Sequence, residues 1–243
     1  MIFKEEFKIE LEDIGKDKCF SNKALLKYLE NIGADHSSQA GYGILDMERT
    51  KVSWILLDWK VRIFKREKYS KTIKINTWSR GSKRIYSYRD FEVFDENNNK
   101  IAIATSRWAL INIDTGKIER ISEDITEKYY PENEFVFEEA ELEKRKEPEE
   151  FVNTIKYTVN RSDIDINNHM HNLNYLDLAY EALPQEIYEK DEFNNIRITY
   201  KKEIKLGETV KCKYTFDKKQ NDKHIVAITS EDDSKIHAII EVY

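Results

Sequence analysis

Cysteine, proline, glycine and long apolar runs are all scarce in this chain. Its two cysteines, Cys19 and Cys212, lie far apart and match no metal-ligand spacing, so a cysteine-built metal site is excluded and reduced thiols are expected. Three prolines and seven glycines in 243 residues imply tight loops and extensive regular structure. No segment approaches the roughly 20 apolar residues that cross a bilayer, so no membrane insertion is expected. The N-terminus, Met-Ile-Phe-Lys-Glu-Glu-Phe, lacks the apolar stretch of a signal peptide, and a cytoplasmic location follows. Excess positive charge is missing too. At a net charge of −6 there is no reason to expect nucleic-acid binding.

What is present is a well-patterned globular sequence, 40% apolar and 12% aromatic, and such a composition argues against a long disordered chain. Its length lies between one large domain and two small ones. A repeat decides in favour of two. Phe3 to Leu11 alternates as a strand, and so does Thr154 to Asn160. A polar loop follows each, Glu12–Ser21 and Arg161–Asn172. An amphipathic helix comes next, its apolar face built by Leu25, Tyr28, Leu29 and Ile32 in the first half and by Leu173, Leu176, Tyr180 and Leu183 in the second.

A meander of strands completes each half. The first has Ser53–Phe64, Lys71–Arg80, Ser87–Phe94, Ile101–Ile113 and Ile118–Ile121, with turns at Asp95–Asn99 and Asp114–Gly116. The second has Asn195–Leu206, Thr209–Phe216, Ile225–Ser230 and Ile236–Val242, with turns at Lys218–Asp222 and Glu231–Ser234. A strand, one long helix and an antiparallel meander make an α+β unit whose helix covers one face of a curved sheet. Ten of the thirteen residues 138–150 are charged and read as a solvated linker. The expected plan is residues 1–132, a linker over 133–150, and residues 151–243.

One stretch stands apart. Asp165-Ile-Asn-Asn-His-Met-His-Asn-Leu-Asn-Tyr175 is too polar for a core and sits directly ahead of a helical pattern. Such a loop suits a helix start, whose free N–H groups attract an anion or a developing oxyanion. A His within it can move protons near neutral pH. A capped helix with surface His and Asn is the plainer alternative.

The tandem helix-and-sheet plan resembles the double hotdog arrangement, and the residues are similar to those of the acyl-acyl carrier protein thioesterases of bacteria and plant plastids. The resemblance rests on Thr77-Trp-Ser-Arg-Gly81, Arg89-Asp-Phe-Glu-Val93 with Asp95, and Ser106-Arg-Trp-Ala-Leu-Ile-Asn112 in the first half. In the second it rests on Asp165-Ile-Asn-Asn-His169 with Asn172 and Tyr175, then Tyr200-Lys-Lys-Glu203. It implies Asp165, Asn167, His169 and Glu203 as catalytic residues, and a carrier protein bearing a fatty acyl phosphopantetheine thioester as partner. No cofactor and no metal is implied. Many plant members carry a Cys after the motif Glu; Ile204 stands there, so water attack is expected in place of a cysteine nucleophile unless Cys19 or Cys212 enters the site.

In this reading Glu203 is the base, its pKa raised by a partly apolar cleft. Asp165 orients the loop, and backbone N–H groups near His169–Asn172, aided by Asn167 or His169, hold the oxyanion. The roles of His169 and Glu203 are interchangeable at this stage. His171 reads as a solvent-facing or supporting residue, and His36 as structural. The first half's loop, Gly15–Ser21, lacks the Asn/His pattern, so one site per chain is expected, with the first half shaping the acyl pocket. Asn172, Trp54, Trp59 and Trp78 are the candidate substrate-binding residues, though tryptophans on a half-buried sheet are usually core. The basic series Lys60, Arg62, Lys65, Arg66, Lys68, Lys71 and Lys74, with Arg80, Lys83 and Arg84, reads as solvated strand faces or as a docking patch for an acidic carrier. Rival functions are an acyl-CoA thioesterase, a dehydratase, and a non-catalytic acyl-thioester-binding module. Acyl chain length and homodimer formation are left open.

Overall fold

The computed structural model describes residues 1–138, 142–143, 145, 147–190, 192–217 and 222–243. The chain divides into two compact units, Met1–Leu142 and Glu143–Tyr243.

Unit 1 runs β1 (Phe3–Lys8), α1 (Asn22–Gln39), α2 (Met47–Thr50), β2 (Val52–Ile63), β3 (Thr72–Lys83), β4 (Tyr86–Phe94), β5 (Lys100–Asn112), β6 (Ile118–Glu119) and α3 (Glu123–Glu127). Its antiparallel strands are ordered β1-β3-β4-β5-β2, with β6 on β5. Helix α1 starts where Ser21 Oγ accepts the Ala24 N–H at 3.2 Å, a cap whose loss typically costs about 1 kcal/mol. Leu25, Leu26, Leu29 and Ile32 on its inner face are buried, as are Ile73 and Ile75 of β3 and Phe91 of β4. Burial of each such side chain contributes roughly 1.5–3 kcal/mol, which holds the helix against the sheet.

Unit 2 repeats the plan: β7 (Asn153–Thr158), α4 (Asn174–Ala182), α5 (Gln185–Lys190), β8 (Asn195–Tyr200), β9 (Thr209–Asp217), β10 (Lys223–Ser230) and β11 (Ile236–Val242). The strand order β7-β9-β10-β11-β8 matches that of unit 1 element for element. This is a tandem hotdog of α+β class. Helix α4 is half the length of α1, since Pro184 forces Leu183 out of the helical region, to φ −67° and ψ 147°.

Two expectations are corrected. The strand expected over Asn195–Leu206 ends at Tyr200, because Lys201 and Lys202 both donate to the single carbonyl of His237, at 2.8 and 3.2 Å. The chain leaves the ladder there, and Glu203 follows on irregular backbone. The solvated linker is also shorter than expected. Trp78 Nε1 donates to the Glu134 carbonyl at 3.0 Å, Val136 N donates to Asp90 Oδ2 at 3.0 Å, and Phe137 is buried beneath the Lys60 amine. Apolar Phe135-Val136-Phe137 thus fastens to unit 1 despite the charged residues after it. Linker residues 139–141, 144 and 146, and residues 218–221 of the turn expected at Lys218–Asp222, lie outside the described residues. The Asp95 turn forms, with its Oδ1 accepting the N–H groups of Asn97 and Asn99 at 2.9 and 2.8 Å.

Candidate active site

The Asp165–His171 loop is shaped by its own polar groups. Asp165 Oδ1 accepts the N–H groups of Asn167 and His169 at 2.8 and 3.3 Å, and Oδ2 accepts Asn167 Nδ2 at 3.4 Å. Asp165 N donates to the His169 carbonyl at 2.9 Å and Asn168 N to the Asp165 carbonyl at 3.1 Å. Asn168 takes the left-handed conformation at φ 61°, a place where Asn is less strained than most residues. A carboxylate two and four residues ahead of its N–H donors makes the tight turn self-supporting.

The loop is fastened to the segment after β8. Met170 N donates to the Ile204 carbonyl at 2.8 Å, and His169 pairs with Lys205 as an isolated bridge. This brings His169 Nε2 to 3.8 Å from Glu203 Oε1, with the side chains 35% and 58% exposed. That separation is longer than a hydrogen bond, and it leaves both groups open to a third partner. Asp165, Asn167, His169 and Glu203 are therefore neighbours. Glu203 is more than half exposed and does not sit in the apolar cleft expected of it.

The structure redirects the oxyanion assignment. The N–H of His169 goes to Asp165, that of Met170 to Ile204 O, and that of His171 to the Asp163 carbonyl at 2.8 Å. Three amides expected to receive an oxyanion are thus already committed. His171 Nδ1 accepts the Leu173 N–H at 3.2 Å, so this ring braces the turn that leads into α4. Asn172 is half-buried at the end of the loop, its carbonyl accepting the Tyr200 hydroxyl at 3.1 Å.

The candidate tryptophans divide. Trp59 and Trp78 are buried in unit 1, Trp59 against Phe91 at a ring separation of 5.3 Å, so neither ring is presented to a ligand. Trp54 is half-buried and donates to the Tyr129 hydroxyl at 2.8 Å. Four of the ten residues in the basic series are matched by local acids. Lys65 meets Asp95 at 3.0 Å, Lys71 meets Glu96 at 3.0 Å, Lys74 meets Glu6 at 3.7 Å, and Arg80 meets Asp90 at 3.4 Å. Cys212 is fully buried, and burial pushes its thiol pKa up to about 12, which suppresses the thiolate a nucleophile needs. Among the described residues no three His, Cys, Asp or Glu side chains gather as a metal site, and no helix is long and apolar enough to cross a membrane. One buried ring behind Glu203, His237, was passed over by the sequence reading. The available signal was a His inside the otherwise apolar strand Ile236-His-Ala-Ile-Ile240.

Comparison with known proteins bears on this geometry. The acyl-ACP thioesterase N-terminal domain matches residues 1–129, and the acyl-ACP thioesterase C-terminal domain matches residues 145–242. An oleoyl-acyl carrier protein thioesterase of Arabidopsis thaliana is 24% identical over 224 residues, covering 86% of this chain and 62% of the relative. The chain thus spans about three-fifths of the length of such plant relatives, which are named as chloroplastic. The 12:0-ACP thioesterase from Umbellularia californica superposes with a TM-score of 0.87 at 18% identity, covering 99% of this chain and 96% of that one. An acyl-ACP thioesterase from Bacteroides thetaiotaomicron gives 0.85 at 22% identity, over 99% and 96%. With both halves matched in order along nearly its whole length, the chain belongs to the acyl-ACP thioesterase family.

Proposed function

We propose that this protein hydrolyses a fatty acyl thioester carried on acyl carrier protein and releases the free fatty acid. The observation that carries the chemistry is the placement of His169 Nε2 3.8 Å from Glu203 Oε1, beside a loop that Asp165 locks. Glu203 takes a proton from water, and the water oxygen attacks the carbonyl carbon. The oxygen that gains charge is held by side chains, since the amides of His169, Met170 and His171 are committed. Asn167 keeps one amide N–H for this after its bond to Asp165, and His169 supplies a ring N–H. Collapse of the tetrahedral intermediate breaks the C–S bond, and the proton gained by the Glu203–His169 pair goes to the departing thiolate. Preorganised donors of this kind supply a large share of the barrier reduction in acyl transfer.

The carrier assignment draws on the names of the family's members, acyl carrier protein thioesterases in plants and bacteria. The basic series of unit 1 adds little, since four of its ten residues are matched by local acids. The test is a parallel assay of one acyl chain on acyl carrier protein and on CoA, with Glu203→Gln as control. Faster turnover on the protein carrier that falls in the variant supports the proposal. Preference for CoA makes the enzyme an acyl-CoA thioesterase, and no turnover on either carrier makes it a binding module.

A further inference from the structure

Glu203 sits on irregular backbone, where no ladder holds it. Its support comes from two buried rings. His237 Nδ1 lies 3.3 Å from the Lys202 carbonyl and 3.1 Å from the Glu203 carbonyl. Both partners are acceptors, so this nitrogen carries the proton. The Tyr175 hydroxyl donates to the Lys202 carbonyl at 3.4 Å. His237 and Tyr175 are 4% and 3% exposed.

The first unit holds an internal control. Ile101 O accepts Phe64 N and Lys65 N at 2.8 and 3.2 Å, as His237 O accepts Lys201 N and Lys202 N at the same distances. Phe20 N donates to Glu67 O as Met170 N donates to Ile204 O. Ile101 thus occupies the place of His237, Leu25 that of Tyr175, and Arg66 that of Glu203. Ile101 and Leu25 are buried and line a small apolar cavity with Phe20, Ile63 and Arg66. The backbone crosses at this point in both units, so the crossing itself does not require polar rings. They occur where a carboxylate stands in place of the arginine.

We propose that His237 and Tyr175 are positioning residues that hold the backbone of Glu203 through its own and its neighbour's carbonyl. This rests on the reading of Glu203 as the base. Two ring donors on consecutive carbonyls fix the direction in which the intervening Cα–Cβ bond points, and with it the carboxylate's approach to His169.

The experiment installs the first unit's residue. His237→Ile should lower kcat by roughly 10- to 100-fold, the scale of a misplaced catalytic group, with KM within about twofold. His237→Asn, which keeps an N–H near Nδ1, should recover much of that loss. In a Glu203→Gln background, His237→Ile should cost little more, since residues acting through one another are non-additive. Amide hydrogen exchange at Lys201–Lys205 should speed up in His237→Ile while β9 and β10 keep their protection. Wild-type kcat in His237→Ile, an equal loss in both backgrounds, or unchanged exchange at Lys201–Lys205 each overturns the proposal. Full activity of Glu203→Gln alone overturns the base assignment instead, and the exchange readout still judges His237 and Tyr175.

Discussion

Two loops in one chain share a backbone and differ in chemistry. In Gly15–Ser21, Gly15 N donates to Cys19 O, Lys18 N to Gly15 O and Ser21 N to Asp13 O. In Asp165–His171 the same bonds join Asp165 to His169, Asn168 to Asp165 and His171 to Asp163. Lys18 and Asn168 have φ of 64° and 61°. The helix entrances differ in detail, for Ser21 Oγ accepts the Ala24 N–H within α1 while His171 Nδ1 accepts the N–H of Leu173, just ahead of α4. What differs is the side-chain set: Gly15, Asp17, Cys19 and Arg66 in the first unit, Asp165, Asn167, His169 and Glu203 in the second.

The two loops also divide their turn-holding bonds differently. In the first loop Asp17 Oδ1 accepts the Cys19 N–H at 3.0 Å. In the second that duty moves to Asp165, which leaves Asn167 with an amide to spare. The fold thus tolerates either arrangement, and chemistry enters through the few side chains that project from it.

Breaking that asymmetry most completely should have the largest effect. Glu203→Arg, the first unit's residue, or Glu203→Gln should lower kcat on acyl carrier protein by roughly 10²- to 10⁴-fold, as loss of an acid–base group does. The melting temperature should hardly move, because this side chain is 58% exposed. Retained turnover in a folded variant would remove Glu203 from the mechanism.

Next in size are the loop substitutions. Asn167→Ala and His169→Cys, the latter again copying the first unit, should each cost about 10²-fold in kcat, the scale of one lost oxyanion donor. If both keep wild-type rates, the two loops are alike in function as well as in backbone.

A third measurement separates the units by stability. His36 of α1 is buried, stacks on Phe3 at 5.2 Å, and lies 2.8 Å from Arg89 Nη1 through Nδ1. Burial first, then the Arg89 charge, lowers its pKa to about 3. A depressed histidine pKa means the unfolded chain binds the proton more readily. The stabilisation is therefore full above the unfolded value of about 6.5 and declines as pH falls towards about 3. Unit 1 should lose amide protection between pH 7 and 5, and His36→Phe should flatten that slope. Equal slopes in the variant and the parent would show that His36 is not the group responsible.

The smallest expected effect tests the cysteines. Cys19→Ser with Cys212→Ser should keep most activity, and native-state alkylation should inhibit little, since Cys212 is buried and Cys19 lies in the first unit, at the position His169 holds in the second. An inactive but folded double variant would return a thiol to the mechanism.

Much of this molecule was legible before any coordinates. Alternation over Phe3–Lys8, the apolar face of α1 and the turn residues around Asp95 each act within a few residues, and local patterns of that kind are written directly in the chain. The repeat and the Asp-x-Asn-x-His spacing were equally readable, because a tight polar turn needs its side chains at set intervals. Less accessible were Trp59 and Trp78, whose burial depends on the opposing strands.

By itself, then, the sequence determined two α+β units, their order of elements, and one loop rich in Asn and His against one without them. Tertiary structure decided the rest. It ended β8 at Tyr200 by giving two N–H groups one carbonyl, and it committed the Met170 amide to the Ile204 carbonyl of another segment. It also set Glu203 on backbone held by rings from α4 and β11. Each outcome depends on hydrogen bonds between residues distant in sequence, and such a bond exists only once packing has brought donor and acceptor within about 3 Å of each other.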